Sequence, residues 1–186
     1  MLAPAELVRD FVNTYDLGSD ADELASPAEL AVWLRERGLI GPRDRATDDD
    51  LTTALTLREA LRAALRREAP QTPELRAALR REAPKTPELP ALPLLVRIGV
   101  TPELVPLEDG VRGGLARIAA AVTDRSWHRL KVCAEGMCQW AFIDSSKNRS
   151  RSWCSMRVCG NRTKTRAYRA RKQGSRHPQG SNTDTV

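Results

Sequence analysis

Residues 133–162 read CAEGMCQWAFIDSSKNRSRSWCSMRVCGNR, and they hold all four cysteines of the 186-residue chain. The spacing is Cys133-x4-Cys138-x15-Cys154-x4-Cys159. Two pairs of equal spacing separated by a loop form the pattern of a closed structural metal site: each pair turns its sulfurs inward, and two pairs complete a tetrahedron. Four thiolates suit zinc, with iron the weaker option. With every ligand position filled by protein, no position is left for a water, which argues against metal-assisted hydrolysis. The alternative is four ordinary thiols in a small core. His128, five residues before Cys133, and His177 in the tail are rival ligands. Both read as packing or surface residues.

The surroundings of the cysteines hold few apolar residues. Trp140, Phe142, Ile143 and Trp153 are the candidate core. So small a set does not fold a module of this size alone, and bound metal is expected to supply about 10 kcal/mol or more of its folding free energy.

Charge separates the two ends of the chain. Residues 127–186 carry 13 Lys/Arg against 3 Asp/Glu, while residues 1–126 carry 17 against 21. No acid occurs from Ser145 to Thr183, a stretch with eleven cations. A zinc ion with four thiolates carries a net charge of about −2, too little to account for them, and a phosphate backbone is the natural remaining partner. Residues 161–173, NRTKTRAYRARKQ, read as a helix, with Asn161 or Thr163 as its cap and Gly174 as its stop. Arg162, Arg166 and Arg169 fall on one face, and Ala167 and Ala170 keep the rod slim enough for a major groove. The candidate nucleic-acid contacts are Lys147, Arg149, Arg151, Arg162, Lys164, Arg166, Arg169 and Lys172. The alternative is a solvated basic face.

The front half reads as amphipathic helices. Leu7, Val8, Phe11, Val12 and Tyr15 recur at helical spacing over Ala5–Leu17. Ser26-Pro27-Ala28-Glu29 is a capping box with proline at the first helical position, and Gly38 ends that helix. A third helix starts at Thr47 before three aspartates, carries Leu51, Ala54, Leu55, Leu61 and Leu65, and stops at Pro70. Residues 61–74, LRAALRREAPQTPE, repeat at 75–88 with only Gln71/Lys85 changed. Proline in each copy favours two short helices over one long one, and the duplication reads as structurally neutral. Leu94–Val100 and Leu104–Leu107 read as a hairpin that must pack on helices. A further helix follows Gly110 and runs to about Arg125, and the tail beyond Lys172 reads as disordered.

From WCSMRVCGNR at 153–162, the chain resembles the CGNR zinc-finger family of bacterial proteins regarded as stress-induced transcription regulators. The likeness extends back through Cys133, Cys138, Trp140, Phe142, Asp144 and Ser145–Arg151, and forward through Lys164 and Arg169. The front half is similar to that family's N-terminal ABATE domain at Asp10-Phe11-Val12-Asn13-Thr14 and Leu57-Arg58-Glu59-Ala60-Leu61. The resemblance implies one structural Zn2+ on Cys133, Cys138, Cys154 and Cys159, a DNA-binding role, and Gly160, Asn161 and Arg162 as the signature. Gly160 is expected to allow a tight turn into the helix.

These readings set the expectations. The fold class is α+β: a mostly helical N-terminal domain with a short β-hairpin (1–126), a four-cysteine zinc module with a basic helix (127–173), and a disordered tail (174–186). DNA is the expected partner. RNA binding and a protein–protein adaptor braced by zinc are the alternatives. No apolar run reaches membrane-spanning length and no leader precedes the first helix, so a cytoplasmic, nucleoid-associated place is expected. The front domain is expected to act as a sensor or an oligomerisation unit, with a homodimer as one form. Asn13 and Thr14, polar in an apolar helix, are the candidate effector site; an internal hydrogen bond is the alternative. The sequence carries no Ser-His-Asp, Cys-His or HExxH arrangement and no phosphate-binding glycine loop, so no enzyme is expected.

Overall fold

Two of the helices begin where a short polar side chain holds an unpaired backbone N–H group. In the computed structural model, which describes residues 2–68, 91–100 and 102–174, α1 spans Pro4–Val12, α2 Pro27–Glu36 and α3 Asp48–Glu68. Ser26 Oγ accepts from Glu29 N at 3.3 Å and donates to the Glu29 carboxylate at 3.0 Å. Thr47 and Asp50 close a second reciprocal cap ahead of α3, at 3.2 and 3.0 Å. α2 gives way to Gly38 at φ +67°, a backbone that glycine adopts without a Cβ clash.

The first helix is shorter than its periodicity predicts. It ends at Val12, and Tyr15–Asp16 (β1) turns back to pair with Ala21–Asp22 (β2). Two arginines of α3 hold this corner. Arg58 reaches Asp22 through two bonds of 2.7 and 2.8 Å and donates to Thr14 Oγ1 at 3.1 Å. Arg62 donates to the carbonyls of Val12 at 2.6 Å and Tyr15 at 2.9 Å. Both guanidiniums lie by the Tyr15 ring, 5.2 and 5.4 Å from its centre. The ion pair holds the Asp22 carboxyl below its ordinary range. Arg62 also stands in the first repeat copy, whose leucines Leu61 and Leu65 enter the core. The rest of the duplication and the tail from 175 lie outside the described residues.

The expected hairpin forms from Leu94–Ile98 (β3) and Pro102–Pro106 (β4), with Val96 opposite Leu104. β4 lies against α4, Gly110–Ala120, while Val96 and Ile98 of β3 stay exposed. α4 ends sooner than predicted and tightens into a 3-10 turn at Ala121–Thr123. Its start depends on close approach: a Cβ on Gly113 would stand 2.0 Å from the Glu108 carbonyl oxygen.

The third hairpin joins the two ends of the chain. Leu130–Val132 (β5) pairs antiparallel with Ala141–Ile143 (β6). β6 packs on α1 and β5 on α3. Leu130, Val132 and Ala141 thereby enter the same buried cluster as Phe11, Leu34, Leu57 and Ile118. The α+β, mostly helical reading stands, with two further hairpins (β1–β2 and β5–β6) beyond the one foreseen.

Candidate metal centre and basic helix

The cysteine pairs sit on two loops that hydrogen bonds draw together. Cys133 follows β5, and its N–H donates to the Trp140 carbonyl at 2.9 Å. The N–H groups of Cys138 and Gln139 both donate to the Glu135 carbonyl, closing the first loop. Ala134 N donates to the Ser152 carbonyl at 2.8 Å and ties that loop to the second. The four sulfurs then lie within 4.8 Å of one another, with Cys133 and Cys159 buried and Cys138 and Cys154 partly buried. Cys154 Sγ stands 3.7 Å from both Cys138 Sγ and Cys159 Sγ. All four are free cysteines.

This donor set can take a cation. Burial first, then the neighbouring thiols, raises the Cys154 thiol well above its ordinary range and pushes Cys159 up to about 11. A bound divalent ion reverses that preference and holds the ligands as thiolates. The constellation offers four protein ligands and can close a site around one metal ion. His128 lies in a 3-10 turn, Trp127–Arg129, and no histidine belongs to the cluster among the described residues.

The helix starts earlier than predicted, and on a cysteine of the cluster. Ser155, rather than Asn161 or Thr163, is the cap: its Oγ accepts from Val158 N at 3.3 Å. A wide π-helical turn, Met156–Gly160, then feeds α5, Asn161–Gly174. Cys159 is therefore part of the helical rod, near the end where backbone N–H groups favour thiolate. Thr163 Oγ1 donates to the Cys159 carbonyl at 2.9 Å. Gly160 makes no positive-φ turn. A Cβ there would meet Met156 Sδ at 2.5 Å, a contact that the half-exposed Met156 side chain can relieve by swinging aside.

Two acids organise the surrounding cations. The Glu135 side chain is fully buried and receives Arg166 Nη2 at 2.8 Å and Arg162 Nη1 at 3.6 Å. Asp144, also fully buried, accepts from Lys131 Nζ at 2.7 Å, Ser146 Oγ at 2.6 Å, Ser146 N at 3.0 Å and Arg151 N at 3.0 Å. Lys131 Nζ also donates to the carbonyls of Arg149 and Arg151. The arm from 144 to 151 is thus wound around one carboxylate. Sequence reasoning missed Glu135 as a bracing residue. The signal was there: Glu135 and Asp144 are the only acids between 127 and 183.

Burial alone would raise the Asp144 carboxyl, but Lys131 and the Ser146 and Arg151 donors outweigh it and hold it far below the carboxylate range. The stability this confers is complete above the unfolded value near 3.9 and is lost as pH falls from there toward the folded value. Asp144→Asn is expected to cost about 2 kcal/mol at pH 7. The gap between the melting curves of variant and wild type should stay constant from pH 8 to 5 and narrow below about pH 4.

The other expected site residues divide. Arg151 donates to the Cys154 carbonyl at 2.8 Å and lies over the Phe142 ring at 5.1 Å. Lys147, Arg149, Lys164, Arg169 and Lys172 are exposed. Phe142 is buried, whereas Trp140 is exposed rather than core. Asn13 and Thr14 are buried and already bonded. Asn13 Nδ2 donates to the Ala141 carbonyl at 2.9 Å, and Ala141 N donates to Asn13 Oδ1 at 2.7 Å. Thr14 Oγ1 donates to the Phe11 carbonyl at 2.8 Å. The internal hydrogen bond, the alternative to an effector site, is the arrangement found.

Comparison with known families meets the same two regions. Residues 129–172 match the CGNR zinc finger. Residues 5–126 match ABATE, described as "Putative stress-induced transcription regulator". The chain belongs to the ABATE family and carries a CGNR zinc finger. Both families are regulatory rather than catalytic. No curated protein matches the chain. Among the described residues no helix is long and apolar enough to cross a membrane.

Proposed function

We propose that this ABATE protein is a zinc-dependent, DNA-binding transcription regulator of the cytoplasm and nucleoid. The observation that carries the reading is the gathering of four sulfurs at the root of an acid-free basic helix. Zinc fits the donor set: a tetrahedron with Zn–S bonds of about 2.3 Å has edges of about 3.8 Å, and Cys154 Sγ stands 3.7 Å from both Cys138 Sγ and Cys159 Sγ. Cys133, Cys138, Cys154 and Cys159 would hold one Zn2+, which supplies structure and leaves no open coordination position. Cations of α5 and of the 147–151 arm outside the Glu135 and Cys154 contacts would meet phosphate. The front half would act as sensor or oligomerisation unit. Its free surfaces are the exposed β3 strand and an open cleft of about 540 Å3 with Leu7, Arg37, Leu39, Leu104 and Arg117 in its lining.

The test is binding of the zinc-loaded full chain to labelled duplex DNA, with single-stranded RNA as competitor and salt as variable. The reading expects duplex binding that weakens as salt rises and that survives RNA competition. Preference for the RNA would move the assignment to RNA binding, and indifference to both would leave an adaptor braced by zinc.

A further inference from the structure

We infer that the side of α5 that meets nucleic acid is the one bearing Lys164, Tyr168 and Arg171, and that the Arg162–Arg166 side is the tether holding the helix to the metal loop. The inference rests on the nucleic-acid reading above and names the surface that performs it. Residues four and seven apart share a helix face. Arg162, Arg166 and Arg169 make one face, and Lys164, Tyr168 and Arg171 make another, about 200° around the axis.

The first face is tied to the protein at one point, although its Arg162 and Arg166 side chains remain 54% and 60% exposed. Arg166 and Arg162 meet the two oxygens of a Glu135 carboxylate with no exposure of its own, within the loop between Cys133 and Cys138. Transferring Arg166 to a phosphate would take from a buried carboxylate its 2.8 Å ion pair and leave it with Arg162 at 3.6 Å and the Met137 N–H at 3.2 Å, a loss of stability. Arg151 is similarly committed, to the Cys154 carbonyl and the Phe142 ring.

The second face is turned away. Lys164, Tyr168 and Arg171 are exposed, and among the described residues none of the three side chains has an ion pair or a hydrogen bond. The two cations stand seven residues apart, about 10 Å along the axis. The Tyr168 hydroxyl between them can donate to a phosphate oxygen. A helix entering a groove leads with the cations that its own protein leaves unpaired, and on one face these are Lys164 and Arg171, with Tyr168 between them.

The experiment compares zinc-loaded full-length wild type, the double variant Lys164→Ala/Arg171→Ala, and Arg166→Ala. The readouts are duplex affinity against salt and thermal stability. The double variant is expected to lose about tenfold or more in affinity at fixed salt, and to flatten the log–log salt slope by about two contacts' worth, with its melting temperature kept. Arg166→Ala is expected to lower the melting temperature and the amide protection of α5, and to change the slope by less than one contact. The reverse order, with Arg166→Ala flattening the slope and the double variant leaving it intact, overturns the face assignment while the DNA-binding reading survives. A wild type that binds no duplex at any salt removes that reading and this inference with it.

Discussion

Stripping the metal with a chelator is expected to unfold the C-terminal module while much of the helical front half remains. The cysteines sit on loops with little core of their own. Phe142 and the β5–β6 residues are buried, but α5 is exposed at nearly every position, and a 14-residue helix with six cations and no acid does not hold its shape unaided. What fixes it is Cys159 in its first turns, the Thr163–Cys159 bond and the Glu135 tether. Losing the ion therefore removes a ligand sphere that contributes on the order of 10 kcal/mol in comparable sites. Circular dichroism should report the loss of helix α5, and hydrogen exchange should place it in residues 133–174. Re-addition of zinc should restore both signals. A chelated protein whose α5 amides stay protected would show that the sulfurs pack as ordinary thiols. Cys159→Ser is expected to match chelation, since it removes a ligand and the helix anchor together.

The second large effect is expected at Asn13. Its amide satisfies both the N–H and the C=O of Ala141, 128 positions away in sequence and buried at the join between α1 and β6. Asn13→Ala leaves a buried donor and a buried acceptor without partners, at a cost of about 3–4 kcal/mol for the two together. Denaturant unfolding should show a lower midpoint. Amide exchange should rise at Ala141, and then at Cys133, whose N–H bonds the neighbouring Trp140 carbonyl. If Asn13 served an effector instead, the apo-protein variant would melt like wild type and differ only with ligand present. Asn13→Asp keeps the acceptor for Ala141 N but sets a carboxylate against the Ala141 carbonyl, so it should fall between the two.

What the sequence discloses follows the range of the forces involved. Ser26 and Glu29 announce a helix start because their partners lie three residues apart, and the apolar Leu94, Leu95, Val96 and Ile98 announce a strand for the same local reason. The clustering of the four cysteines is legible from spacing alone, since two short segments decide the geometry. The end of α1 is not legible. Apolar spacing continues to Tyr15, but Arg62, reaching from α3, takes the Val12 and Tyr15 carbonyls and turns the chain aside. The division of the arginines is hidden for the same reason. Arg162, Arg166 and Arg169 look equivalent on a helical wheel, and only the fold brings Glu135 beneath two of them. The true cap, Ser155, escaped because the π-helical turn places the helix start five residues before the stretch whose composition suggests it.

The continuity of the core across the match boundary has a practical side. Leu130, Val132 and Ala141 are lodged against α1 and α3, so excising the finger as a free-standing fragment would bare a greasy flank and sever the Asn13 stitch. Transplanting it onto another regulator calls for a host surface that reproduces that seat.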